Sequence, residues 1–485
     1  MLSVILGTAA KVTQSYQTAS RTGQLPLWLI SAIAFYIPLE DFIVAWLPVP
    51  SAVRTGIRFI PEIIIYITLA RTLYYRVATG RALRKTPIDI LVVGFFVASA
   101  ISVVINQASI FGSITELRFN WRYLAIYYTL ANIDISTQQL GAILRNLKVI
   151  GLIQAGLATI QIAIPSRIKI AIAAGNCDKA DLKGASCGTF FDSALLSGFL
   201  LIIIAVHSAQ MWTVSDTLIP TLKDAVSLLI LYLGVFASKK RIALLVAALI
   251  PIVVLYFLGK RRSVAKLIWV IAVVAVPVVF ILPTITSGNV SQAEEGTSRL
   301  DLTSYFGAIF SEEYWQHNLS ASRGWFVVNI SNAIVSSGRW FGFGPEPNAV
   351  IQGMKAILTH SDDIAKLERD IDAFEDPYWF AVMAYFGIVG VILYWLILFR
   401  LYRASRWLIR VASSRAERSL GVMFCTITSV SFFYSFSERL FKLRPFSFYF
   451  WLLAGLMISM CYSQGRSMRE NNGVGSLNAG SSEED

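Results

Sequence analysis

The sequence predicts an all-α fold, a bundle of about twelve membrane-spanning helices with one large helical loop outside the hydrocarbon layer. Of the 485 residues, 55% are hydrophobic and only 15% are charged, whereas soluble domains carry about 25% charged residues. Charge-free apolar runs of about 20 residues recur, and a helix needs that length to cross a ~30 Å hydrocarbon core. The stretch 284–376 interrupts this pattern with charged residues and turn signals.

The spans are expected to be helices because a backbone inside lipid must satisfy its own hydrogen bonds. The segment 119–134 is the weakest, since it is short and contains Arg122. Only Ser238, Lys239 and Lys240 join two of the segments, which predicts a tight helical hairpin there. The predicted spans are 26–47, 57–76, 87–106, 119–134, 140–164, 189–210, 218–237, 241–258, 265–283, 377–399, 419–436 and 445–463.

These spans divide the chain into five parts. A cytoplasmic segment, 1–25, precedes nine spans in 26–283, and the large loop, 284–376, precedes three spans in 377–463. Residues 464–485 are rich in Gly, Ser and Asn and end in acids, a composition typical of disorder. Within the large loop, 349–372 has the spacing of an amphipathic helix, and 336–338 and 342–345 are predicted turns.

The net charge of +12 does not indicate a nucleic-acid partner, because the basic residues cluster in short loops between apolar runs. That distribution follows the positive-inside rule. It places the loops after Arg76, Lys260 and Arg400 in the cytoplasm together with both termini, and the large loop outside. The loop that carries Cys177 and Cys187 also lies outside, where the two thiols can pair or stay free.

Basic residues near the outer ends of spans run against the positive-inside rule, and an anionic ligand would explain them. Guanidinium groups bind phosphate in bidentate fashion and stay charged. Alternatively, each basic side chain pairs with a carboxylate or reaches towards lipid headgroups. The residues concerned are Arg54, Arg58, Arg118, Arg122, Lys239, Lys240, Arg241, Arg299, Arg323, Arg339 and Arg369.

Two carboxylates at a membrane boundary, Glu375 and Asp376, are the first candidates for a general base, because such a position can raise a carboxyl pKa. The alternative is that they complement the dipole at the start of the tenth helix. His360 is the second candidate. Glu40 and Asp41, in the first span, are interpreted as a pair neutralised by Arg54 or Arg58 rather than as metal ligands.

Several short motifs resemble elements of the O-antigen polymerase and O-antigen ligase superfamily. Ser238-Lys239-Lys240-Arg241 is similar to its Ser-x-x-Arg hairpin, and Arg323-Gly324-Trp325 followed by Gly342-Phe343-Gly344-Pro345 is similar to elements of its large periplasmic loop. Asp376-Pro377-Tyr378-Trp379, then Gly387-Ile388-Val389-Gly390, resembles the element that leads into its Gly-x-x-Gly helix. The resemblance covers roughly residues 185–460, and a weaker element lies at Gly188-Thr189-Phe190-Phe191.

The resemblance implies a GT-C-like glycosyltransferase at the periplasmic face of the bacterial inner membrane. It implies transfer of a glycan from undecaprenyl pyrophosphate to a hydroxyl, without a metal or other cofactor, beside a flippase and a chain-length regulator. Arg241 and Arg323 match the family's essential arginines. The further substrate-binding candidates are Lys240, Arg339, Arg122, Arg58, His360 and Tyr378.

Two other functions stay open. Ligases, which transfer glycan to lipid A-core, carry a histidine where this chain has Glu375, and this departure favours a polymerase of lipid-linked repeat units for O-antigen, capsule or exopolysaccharide. A flippase or secondary transporter is less favoured. Transporters usually have related halves and polar residues in broken helices near the midplane, and neither is evident in the sequence.

Overall fold

The protein is described by a computed structural model, which covers residues 25–163, 185–215, 217, 221–265, 267–268, 322–358, 361–369 and 374–479. Regular secondary structure in these ranges is helical throughout, so the predicted fold class is confirmed. The principal α-helices, in chain order, are α1 Leu25–Tyr36, α2 Glu40–Trp46, α3 Ser51–Ala78, α4 Asp89–Asn106, α5 Ile110–Trp121, α6 Leu124–Ala131, α7 Thr137–Ala163, α8 Ser193–Val214, α9 Leu222–Ala237, α10 Arg241–Phe257, α11 Ser322–Ser337, α12 Pro347–Lys355, α13 Ser361–Arg369, α14 Tyr378–Val411, α15 Arg415–Tyr434 and α16 Arg444–Ala479.

Six helical segments of the described ranges are long and apolar enough to cross a membrane, and α10 is a shorter apolar helix. Each of the six coincides with a predicted span. They are Leu25–Trp46, Asp89–Asn106, Thr137–Ile162, Ser193–Val214, Tyr378–Val411 and Arg444–Ser467. The total of twelve stays a prediction, since most of the segment 265–283 lies outside the described residues.

Three predicted segments differ from the structure. The segment 119–134 breaks at Arg122 and Tyr123, and α6 has eight residues, or ~12 Å of helix, so α6 by itself is too short to span. The single amphipathic helix 349–372 is instead α12 and α13, separated by a turn after Lys355. The predicted disordered tail begins within α16, where Gln464 binds Glu417 of α15.

The surface of α4 shows why these helices suit a lipid environment. Its outward face carries Val93, Val97 and Val104, which are 62%, 53% and 76% exposed. Its inward face buries the hydroxyls of Ser99 and Ser102. A helix in water would reverse this arrangement, because exposed apolar faces are unfavourable there.

The bundle has two chemically different ends. At the basic end, Arg76 and Arg84 donate to the backbone carbonyls of Asn132 and Ala131, and Lys260 donates to that of Trp212. α16 runs from Arg444 at the other end, here called the loop end, to Tyr462, which donates to the Lys85 carbonyl at the basic end. The large loop and the connector 435–443, between α15 and α16, both belong to the loop end.

The turn at 339–344 docks the large loop onto α4 and α14. Phe343 N donates to the Ala384 carbonyl at 2.8 Å, and Asn106 Nδ2 donates to the Gly342 carbonyl at 3.1 Å. Gly338, Gly342 and Gly344 all have positive φ, which confirms both predicted turns. The contacts of the 342–345 turn are therefore with α4 and α14.

Gly387→Ala should disrupt this docking. Gly387 has φ 69° and ψ −171°, a region that only glycine adopts readily, and a Cβ there would lie 1.9 Å from the Trp340 carbonyl oxygen. Strain and overpacking together should lower the free energy of unfolding by about 2–4 kcal/mol, measured by thermal unfolding in detergent. Gly141→Ala is the control, since a Cβ on Gly141 meets nothing within 4 Å. Equal unfolding midpoints for the two variants would contradict the expectation.

Candidate functional site

The connector 435–443 places charged side chains into the loop end of the bundle. Leu440 and Phe441 are buried, and Phe441 packs on the rings of Tyr378 and Trp379. Because these two residues anchor a 3-10 turn at Leu440–Lys442, the polar residues around them face neighbouring helices. They are Glu438, Arg439, Lys442 and Arg444.

Lys442 joins two carboxylates from different elements. Its Nζ lies 2.5 Å from Glu116 Oε1 of α5 and 2.9 Å from Glu375 Oε1, just before α14. The side chains are 8%, 5% and 18% exposed, in the order Lys442, Glu116, Glu375. The group of Glu116, Lys442, Glu375 and Arg439 is called the lysine cluster below.

Hydrogen bonds fix the two carboxylates of the lysine cluster. Tyr385 OH donates to Glu375 Oε1 at 2.6 Å. Asn120 Nδ2 donates to Glu116 Oε1 at 2.9 Å, and Tyr378 OH donates to Asn120 Oδ1 at 2.8 Å. Tyr378, a predicted substrate ligand, is fully buried, so it reaches the cluster through Asn120.

The environments of Glu116 and Glu375 move their pKa values in opposite directions. Burial raises the pKa of Glu375, but Lys442, the Tyr385 hydroxyl and Arg439 together bring it below its ordinary value. Burial raises the pKa of Glu116, and the negative charge of Glu375 raises it further. Lys442 lowers this pKa, but not enough to offset the other two effects. The sequence-based expectation of a raised pKa at Glu375 is therefore wrong, because the connector supplies cations that the local sequence does not reveal.

Arg439 covers the outer side of the lysine cluster. Its Nη1 lies 3.2 Å from Glu375 Oε2 and its Nε 3.7 Å from Asp376 Oδ1. The Arg439 side chain is 41% exposed, and the two carboxylates raise the pKa of its guanidinium although burial opposes this. Arg439 thus stands between Glu375 and the outside of the bundle.

A second group of charges surrounds Glu40 and Asp41. Arg444 donates to both carboxylates, at 3.1 Å for Asp41, and Arg58 Nη2 lies 3.5 Å from Asp41 Oδ1. The expected neutralisation by Arg58 is confirmed, although Arg444, which the sequence did not single out, pairs with both acids. Arg54 instead donates to the Leu47 carbonyl.

Glu62 holds two arginines from the end of α5. Arg118 binds both Glu62 oxygens at 2.8 Å, and Arg122 Nε lies 3.1 Å from Glu62 Oε1. The Nε atoms of Arg58 and Arg122 are buried, and among the described residues neither makes a hydrogen bond of good geometry. The 3.1 Å contact of Arg122 Nε with Glu62 is therefore an ion pair only. Arg58, Glu62, Arg118 and Arg122 are called the arginine cluster below.

The predicted hairpin also reaches the connector. Lys240 Nζ lies 3.8 Å from Glu438 Oε1, and Arg241 begins α10 directly after it. Arg339 donates to Asn106 Oδ1 at 2.7 Å and lies over the Phe343 ring, so it positions the large loop. The side chain of Arg323 and all of His360 lie outside the described residues.

The sequence interpretation missed Glu116, Arg439, Lys442 and Arg444. A usable signal was present in Glu438-Arg439-Leu440-Phe441-Lys442-Leu443-Arg444, because three basic residues at an outer span end oppose the positive-inside rule. Glu116 had no such signal, since a single acid in a short polar stretch is ordinary.

The chain matches no protein-family model and no curated protein. Within the described ranges, His, Cys, Asp and Glu side chains form no group of three suited to a metal ion.

Proposed function

We propose that the chain is a polymerase of undecaprenyl-pyrophosphate-linked repeat units for a bacterial surface polysaccharide. One observation carries the proposal. The arginine cluster and a pair of carboxyl groups with opposed pKa shifts lie at the same end of an apolar helical bundle. Pairs of titratable groups with environments that separate their pKa values are typical of acid–base catalysis.

A lateral groove supports a lipid-linked substrate. It has a volume of about 430 Å³, and its lining is apolar except for a few polar groups, with Arg118 connecting it to the arginine cluster. The remaining lining residues are Tyr66, Leu69, Phe96, Ile114, Leu117, Trp121, Leu124, Ala125 and Tyr128. An isoprenoid chain in this groove would bring an attached pyrophosphate to the guanidinium groups.

The arginine cluster suits a pyrophosphate leaving group. Charge develops on the pyrophosphate as the glycosidic bond breaks, and preorganised cationic donors stabilise such charge most strongly. Arg58 has a buried Nε without a hydrogen-bond partner among the described residues, and this donor supports binding of an anion. The acceptor hydroxyl loses its proton to a carboxylate of the lysine cluster.

The distribution of charges supports a periplasmic site in the inner membrane. Arg76, Arg84 and Lys260 lie at the basic end, opposite the site, and the positive-inside rule places that end in the cytoplasm. Cys187, at the loop end, is disulfide-bonded, which fits an oxidising compartment. Twelve spans, a GT-C-like fold, cytoplasmic termini, and a flippase and chain-length regulator as partners belong to the same proposal.

Arginine substitutions test this function in cells. Arg122→Ala, Arg241→Ala and Arg323→Ala should each shorten the polymer and leave single repeat units, because loss of one charge-stabilising donor costs about 10²–10³ in rate. Lysine at these positions should not fully restore the ladder, since the bidentate geometry is lost. Arg403→Ala, at the opposite end of α14, is the matched control.

The decisive experiment uses purified protein. A polymerase should build a ladder from lipid-linked repeat units alone, whereas a ligase would need added lipid A-core. Normal chain lengths with all three arginine variants, each present at wild-type level, would refute the proposed function.

A further inference from the structure

Two carboxylates of the lysine cluster share one ammonium group. Lys442 Nζ lies 2.5 Å from Glu116 Oε1 and 2.9 Å from Glu375 Oε1. A carboxylate in a buried position is costly in its ionised form, and protonation removes that cost. Glu116 is the more buried of the two, at 4% exposure.

The neighbours of Glu116 come from four parts of the fold. α5 supplies Glu116 and Asn120, the residues before α14 supply Glu375 and Asp376, α14 supplies the hydroxyls of Tyr378 and Tyr385, and the connector supplies Lys442 and Arg439. Within this set only Lys442 contacts both glutamates. The ammonium group has three protons and no lone pair, so it passes a proton on by giving one to one carboxylate first and then, as a neutral amine, taking one from the other.

We propose that Lys442 relays a proton from Glu375 to Glu116, so that Glu116 is the final acceptor of the proton released by the substrate hydroxyl. The inference rests on the proposed glycosyl transfer. The acceptor oxygen forms a bond to the anomeric carbon, the bond from that carbon to the pyrophosphate breaks, and the electron pair leaves on the pyrophosphate. Glu375 takes the hydroxyl proton. Lys442 donates a proton to ionised Glu116, which becomes neutral, and the resulting Lys442 amine then takes the proton from Glu375 and is an ammonium ion again.

The relay explains how Glu375, a carboxylate held by two cations, can be the first acceptor of the substrate proton. Glu375 is 18% exposed at its side chain and faces the outside through Arg439, but it is a weak base because its pKa is lowered. Glu116 is enclosed, and its raised pKa makes it the stronger base. Transfer to Glu116 therefore draws the proton away from the reacting centre, and Lys442 is an ammonium ion again at the end of the relay.

The pH dependence follows from the direction of the Glu116 shift. Glu116 must be ionised to accept a proton, so kcat should rise with pH through its raised pKa. In Glu116→Gln, Glu375 is the remaining base. Because the pKa of Glu375 is lowered, the rise of kcat with pH should occur at lower pH in this variant. The same variant should lower kcat about 100-fold and change KM less than about twofold, since general-base loss affects the chemical step.

Infrared difference spectroscopy tests the proton site without any substrate. Full-length protein in detergent, with glutamate labelled at the side-chain carboxyl, should give a protonated-carboxyl band at a pH where exposed glutamates are ionised. Glu116→Gln should reduce the intensity of the band. Glu375→Gln should keep the band but move its titration to lower pH, because the charge of Glu375 raises the Glu116 pKa.

Glu417→Gln is the matched control. Glu417 is also buried, but it lies in a capping box at the start of α15, where glutamine is an accepted substitute. This variant should keep the band and the wild-type rate profile. Glu116→Asp should restore part of kcat, which a purely structural role for Glu116 would not require.

The outcomes separate the inference from the proposed function. A band of unchanged intensity in Glu116→Gln, or a rate profile unchanged in that variant, would overturn the relay even if the protein polymerises repeat units. A band that depends on Glu116 in a protein that builds no ladder from lipid-linked repeat units would refute the glycosyl transfer and, with it, the catalytic use of the relay.

Discussion

Arg444→Met should be among the most destabilising single changes in the described part of the chain. Arg444 donates to both Glu40 and Asp41, which are 3% and 5% exposed. Removal of one partner from a buried ion pair leaves an uncompensated charge and costs about 3–5 kcal/mol. The free energy of unfolding in detergent should fall by this amount, measured by denaturant titration of the purified protein.

Arg81→Met gives the comparison for an exposed pair. Arg81 lies 3.6 Å from Asp134, and both side chains are more than half exposed, so its loss should cost less than about 1 kcal/mol. Glu40→Gln in the Arg444→Met background should recover much of the lost stability, because the uncompensated charge is then gone. Similar losses for Arg444→Met and Arg81→Met would show that the buried pair has no special importance.

Lys442→Met should abolish polymer formation and also weaken the fold. The substitution leaves Glu116 and Glu375 close together and without the ammonium that joins them. A relay without its central group should lose at least about 10²–10⁴ in rate, the usual contribution of general acid–base catalysis. Polymer ladders from cells and kcat from purified protein measure this loss.

The second substitution Glu116→Gln separates the two effects of Lys442→Met. The double variant removes the Glu116 carboxylate, which has lost its Lys442 partner, so its unfolding midpoint should rise above that of Lys442→Met, while its activity should stay low. Lys355→Met is the control for loss of a lysine, because Lys355 forms an exposed pair with Glu368 in the large loop. Recovery of activity in the double variant would contradict a catalytic use of Lys442.

Local sequence patterns were sufficient for the helical class, the six apolar helices of membrane-spanning length and the two glycine turns of the large loop. Hydrophobic length and turn glycines depend on a few adjacent residues, so they are readable without a fold. The same patterns failed at 119–134, where an apolar stretch is divided at Arg122 and Tyr123. Burial of Tyr123, at 1% exposure, and the ion pair of Arg122 with Glu62 both come from packing against other helices.

Local patterns alone predicted basic residues and carboxylates near one side of an apolar bundle, and Glu375, Asp376, Arg58, Arg122 and Lys240 are among the residues predicted. The partners of these residues depend on the tertiary structure. Lys442 meets Glu116 and Glu375 because α5, the start of α14 and the connector converge, although these residues are far apart in the chain. An ion pair, and the pKa it sets, depends on distances of a few ångströms, which no local pattern specifies.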